Sequence, residues 1–159
     1  VAFDMAPTDE DLIHQASRRV GLSVDVARPA QAVWESLTAD DPMSSYCRII
    51  SRIDWTSPRP FTAGTTRTVR VLGGLFVIDE SYVRWEEGRR KVFVGVRMNL
   101  PLIRRFAEDY LVEPMGPDRS RFTWTAVWEP TTLGRPTDSI THALFGSLVP
   151  DIKRHFETF

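Results

Sequence analysis

Residues 121–130, "RFTWTAVWEP", carry an aromatic or small apolar side chain at every second position. Phe122, Trp124, Ala126 and Trp128 share one parity, and Thr123, Thr125 and Val127 share the other. Successive side chains of a strand point to opposite faces, so the stretch reads as a strand with one aromatic face. Two tryptophans on so short a strand need a cover, either from the chain's own core or from a guest. A buried tryptophan must also find a partner for its N–H.

Working back from this strand, the same pattern repeats. "RIISRIDWT", "GTTRTVRVL", "LFVIDESYVRW", "KVFVGVRM" and "IRRFAEDYLVEP" are strands, separated by the turn signals "SPRP", "GG", "EEG", "NLP" and "MGPD". Six consecutive strands on short turns predict an antiparallel meander. Upstream, "RVGLSVDVA" alternates as a first strand, with Val20, Leu22, Val24 and Val26 on one side. "RPAQAVWESL" then reads as a helix, with Pro29 suited to its first turn and Val33, Trp34 and Leu37 forming its apolar stripe. "ADDPMSSYC" is either a second short helix or a loop, and "TDED" at 8–11 has the form of a capping box.

Downstream, "TDSITHALFGSLVPDIKRHFETF" (137–159) reads as a long helix capped by Thr137. Ile140, Leu144, Leu148, Ile152 and Phe156 recur every fourth residue along it. Pro150 removes a backbone bond and sets its ring against the carbonyl of residue 146, a glycine. A bend near 146–150, rather than an end, is expected.

The chain has 159 residues, 42% hydrophobic and 26% charged, which fits one soluble domain with its own core. A net charge of −1 gives no electrostatic reason to expect nucleic acid as a partner. No apolar run approaches the ~18 residues of a membrane span, and no signal-peptide apolar region is evident, so the cytoplasm is the expected location. Cys47 is the single cysteine and reads as a structural thiol. His14, His142 and His155 are scattered without ligand spacing, and no phosphate loop or nucleophile elbow occurs. Neither a metal nor a cofactor is expected.

The order strand, one or two helices, six strands, long helix resembles the START/Bet v 1-like (SRPBCC) helix-grip superfamily, and within it the polyketide cyclase/dehydrase group. The resemblance is carried by "SVDVARPAQAVWESLTADDP", "FTAGTTRTVRV", "DESYVRWEEGRRKVF" and "RFTWTAVWEP" before the closing helix, over residues 17–159. "SSYC" departs from it where relatives often have a tryptophan. The resemblance implies an α+β helix-grip fold for residues 1–159 as a single domain. In that fold a curved seven-stranded antiparallel sheet wraps a long C-terminal helix, and a hydrophobic cavity lies between them.

Parity then selects the side chains facing that cavity. The glycine pair at 73–74 allows a tight hairpin that sets Val71 opposite Phe76, Val69 opposite Ile78, Arg67 opposite Glu80 and Thr65 opposite Tyr82. The apolar face therefore carries a charged Arg67–Glu80 pair, either a bridge near the rim or a polar anchor in an apolar pocket. A type I turn with a glycine bulge at "EEG" would add Val92, Val94, Val96 and Met98 to the face; an even-length loop would instead add Phe93, Gly95 and Arg97. In the next strand either Phe106, Glu108, Tyr110 and Val112 or Asp109 and Leu111 point inward. The candidate ligand-binding set is Arg67, Val69, Phe76, Ile78, Glu80, Tyr82, Val94, Glu108, Tyr110, Trp124, Trp128, Leu144 and Leu148.

Fold does not fix function, and three readings stay open. One is the binding of a small hydrophobic molecule, lipid- or polyketide-like. Another, implied by the resemblance, is a polyketide cyclase or aromatase in which Glu80, Glu108 or the tyrosines move protons and Arg67 holds an oxyanion. The third is a protein-interaction module of the co-chaperone type, which requires a collapsed cavity.

Overall fold

The computed structural model describes residues 2–159. Its strands are β1 (Phe3–Asp4), β2 (Arg18–Val26), β3 (Ile50–Trp55), β4 (Thr66–Val71), β5 (Phe76–Glu86), β6 (Arg90–Met98), β7 (Ile103–Pro114) and β8 (Ser120–Pro130). Its helices are α1 (Leu12–Gln15), α2 (Ala30–Leu37) and α3 (Asp138–Glu157). Seven strands form one antiparallel sheet in the order β2-β8-β7-β6-β5-β4-β3. The sheet curls around α3 in the helix-grip arrangement. Residues 39–49 connect α2 to β3 without a helix.

The two-residue β1 was not foreseen. It pairs with β6 through Phe3↔Met98 and Asp4↔Arg97, and the N–H of Ala6 donates to Arg104 O, so it wedges between the diverging ends of β6 and β7. The acidic run at 8–11 does not form its expected capping box, because Asp9 Oδ1 accepts from Asp11 N instead of capping α1. Thr137 likewise makes no side-chain cap to α3; its hydroxyl donates to Gly134 O. The helix continues through Pro150 to Glu157.

The main core lies between the concave face of the sheet and α3. Phe156 packs on Phe122 with ring centroids 5.0 Å apart, and Phe145 stacks on Trp128 at 4.8 Å. Trp124 and Trp128 are fully buried, so the chain itself covers the aromatic face of β8. On the convex side a second cluster joins Leu12, Ile13 and Ala16 around α1 to Val92, Val94, Ala107 and Val127. Cys47 is buried, and burial pushes its thiol pKa up to about 12, as suits a packing residue rather than a nucleophile.

Candidate functional site

The β4–β5 hairpin places its side chains as the glycine pair requires: Val71↔Phe76, Val69↔Ile78 and Arg67↔Glu80 are partners. Gly73 (φ 68°) and Gly74 (φ 96°) take the left-handed backbone of the turn. Thr65 O accepts from Tyr82 N, extending the register. One face of β5 therefore carries Phe76, Ile78, Glu80 and Tyr82 inward.

Beyond the "EEG" turn the strands pair as Glu86↔Arg90, Trp85↔Lys91 and Arg84↔Val92, two residues away from the expected register, which set Val92 opposite Tyr82, and the pairing then slips. A bulge at Val83 makes Tyr82 the partner of Phe93, and a second at Val96 follows Glu80↔Gly95 before Ile78↔Met98. Each bulge adds one residue to one strand and reverses parity beyond it. Val94 consequently lies on the convex face under α1, so its expected inward position is corrected, as is that of Val92. Lys91 and Phe93 turn inward in their place. The valine row was apolar because a helix covers it, not because a cavity does.

On β7 the parity of Phe106 wins. Phe106, Glu108, Tyr110 and Val112 face inward opposite Trp128, Ala126, Trp124 and Phe122.

These strands and the first half of α3 enclose a cavity of about 310 Å³. Of the candidates, Val69, Phe76, Ile78, Glu80, Glu108, Leu144 and Leu148 line it. Arg67, Tyr82, Tyr110, Trp124 and Trp128 stand behind that wall in the packed core. The lining also includes Met98 and Phe106, which parity had offered as inward, and Ile49, Leu100, Leu102 and Phe145, which it had not selected. Leu75 and Ile140, 57% and 58% exposed, mark its mouth between the hairpin and α3.

Among the described residues lining the cavity, Glu80 and Glu108 are the charged ones. Arg67 Nε donates to Glu80 Oε2 at 2.6 Å, and both side chains are 2–3% exposed. Burial drives the Glu80 pKa up, with Arg67 pulling it back, to about 7. Glu108 Oε2 accepts from Tyr110 OH and from Trp124 Nε1, both at 2.8 Å. Burial raises the Glu108 pKa as well, opposed first by the Trp124 bond and then by the charge of Arg67. In both carboxylates the bonds fall on Oε2, one on Glu80 and two on Glu108.

The other end of the barrel is closed. Lys91 is fully buried; its amine donates to Leu37 O at the C-terminus of α2 and sits 5.0–5.9 Å from the ring centres of Trp34, Trp55, Tyr82, Trp85 and Tyr110. Burial, and then the positive charge of Arg67, hold its pKa well below the ordinary lysine value. Glu87 bridges the indole N–H groups of Trp34 and Trp85 at 2.8 and 2.7 Å. Among the described residues no group of His, Cys, Asp and Glu converges as a metal site does, and no helix is long and apolar enough to cross a membrane.

Residues 17–151 match the family model described as polyketide cyclase / dehydrase and lipid transport. Uncharacterised proteins of Mycobacterium tuberculosis and Mycobacterium bovis are each 35% identical over 114 residues, covering 72% of this chain and 67% of theirs. The fold is similar to that of a START superfamily protein from Mycobacterium smegmatis, with a TM-score of 0.67, 12% identity and coverage of 87% of this chain and 96% of that one. It is also similar to the Zhui aromatase/cyclase from Streptomyces, with a TM-score of 0.62, 14% identity and coverage of 86% and 94%.

Proposed function

The chain belongs to the polyketide cyclase/dehydrase and lipid-transport family, and from that premise we propose that it binds a small hydrophobic molecule, lipid- or polyketide-like, in the cavity between sheet and α3. The observation carrying this reading is the cavity itself: about 310 Å³ of space, walled by aliphatic and aromatic side chains, with a few polar groups set into it. Ligand pockets have this composition, apolar surface for affinity and sparse polar groups for orientation. Native mass spectrometry of the purified protein and displacement of the neutral fluorophore N-phenyl-1-naphthylamine test it. Occupancy, or saturable fluorescence lost in a Leu144→Trp variant that fills the cavity, is the expected result. No occupancy and no saturable binding would sink it.

A second reading, an enzyme of the cyclase or aromatase type, draws on Glu80. A carboxyl on the cavity wall with a pKa of about 7 is poised to take and return protons at neutral pH. It would remove a proton from an enolisable carbon of a poly-keto chain. Arg67 does not line the cavity and is committed to Glu80, so it serves here as the positioning group of that carboxyl rather than as an oxyanion site. Turnover of a poly-keto thioester surrogate, lost in Glu80→Gln, is the expected outcome on this reading. The interaction-module reading requires a collapsed cavity and lacks support.

A further inference from the structure

We infer that the cavity, on the binding reading above, selects apolar molecules whose polar end donates hydrogen bonds, an alcohol, phenol or amine, and rejects those ending in a carboxylate. Every charged side chain lining it among the described residues is an acid, Glu80 or Glu108, and both are more than nine-tenths buried. The cations of the core are placed elsewhere. Arg67 lies behind Glu80 and gives it its Nε–H, with its guanidinium 4.4 Å from the ring centre of Phe93. Lys91 gives its amine to Leu37 O inside the aromatic box. Both act on Glu108 only through space, and its bonded partners are the neutral donors Tyr110 and Trp124. Those two donors meet on Oε2, so the capacity of this carboxyl to accept further bonds is directed away from them.

A ligand carboxylate brought into this space meets like charge without a lining cation to offset it, in a medium that screens poorly. A hydroxyl or ammonium meets an acceptor. Thr137 and Thr141 at the helix side of the cavity are neutral and add no preference for an anion. The discrimination therefore comes from rejection of the wrong end group as much as from attraction of the right one.

The test is calorimetric titration at pH 8 of three ligands sharing one ten-carbon chain: 1-decanol, decylamine and decanoate. The alcohol or the amine should bind at least about tenfold more tightly than the acid, with the ratio between alcohol and amine reporting whether a neutral or an ionic contact is made. In Glu108→Gln, which keeps an acceptor for Trp124 and Tyr110, the gap should shrink to about threefold or less. Decanoate binding as tightly as the alcohol and amine to the unmodified protein would overturn the inference while leaving the binding reading intact. Failure of all three, together with the neutral fluorophore, would overturn both. The ranking on the unmodified protein needs no variant, so a misfolded Glu108→Gln cannot rescue the idea.

Discussion

At the scale of single residues, the Arg67–Glu80 pair is the most expensive feature of the site. Two charges taken fully out of water must satisfy each other, and removing one partner leaves the other unpaired, a loss of about 3–5 kcal/mol. Arg67→Met should show that loss in urea unfolding at pH 8, and Arg67→Met/Glu80→Leu should recover most of it. A double variant no better than the single would mean that the pair holds the fold through contacts other than its charges. The same carboxyl sets a pH dependence. Its pKa is about 7 in the folded chain against an ordinary 4.5, so the folded state binds its proton more tightly than the unfolded state does. The stability it contributes is complete below about 4.5 and is lost as pH rises through about 7. The unfolding free energy of the wild type, minus that of Glu80→Gln, should fall across that window by about 3 kcal/mol. Parallel profiles would assign Glu80 an ordinary acidity.

At the scale of elements, what could be read in the chain depended on whether local chemistry pinned the register. The hairpin at 73–74 was legible because two glycines fix the turn, and Arg67↔Glu80 follows by counting. The inward face of β6 was not, because residues 91–95 are buried throughout and alternation loses its meaning when a sheet is covered on both sides. Two bulges then reversed the parity that the turn had set, and neither Val83 nor Val96 advertises itself as a bulge. Lys91 was missed for the same reason. The burial of Asp151, which accepts from the backbone N–H and Nε of Arg48 at 3.0 Å, was missed because nothing local distinguishes it from a solvated helix carboxylate. In α3, Gly146 sits opposite the ring of Pro150 along the helix, yet an added methyl group would meet nothing within 4 Å. Gly146→Ala should therefore stabilise the protein by about 0.5–1 kcal/mol through helix propensity alone. A lowered melting temperature would instead show that the glycine's backbone freedom is used to accommodate the proline.

For the whole molecule, the sheet is divided between two tasks. The half formed by β2 and β8 packs on α3 through Phe122 and Trp128, and is closed by the protein's own side chains. The half formed by β4 and β5, together with Phe106 and Glu108 of β7, faces the open volume. The fold and the apolar character of the cavity were both legible from the order of the elements and the parity of β4, β5 and β8. Its location at one end, beside Leu75 and Ile140, was not, because it depends on how α3 crosses the sheet.

That crossing gives the two halves of α3 unequal support. Its buried residues, Leu148, Asp151, Ile152 and Phe156, all fall in the second half, while the turns from Asp138 to Phe145 border the cavity and meet the core chiefly through Asp138 and Phe145 at Trp128. Backbone amides of residues 141–147 should accordingly take up deuterium well before those of 151–157, and a guest that fills the space should slow the first group selectively. Equal protection along the helix would mean that its leading turns are anchored without any occupant. In that case they would owe their order to the chain alone.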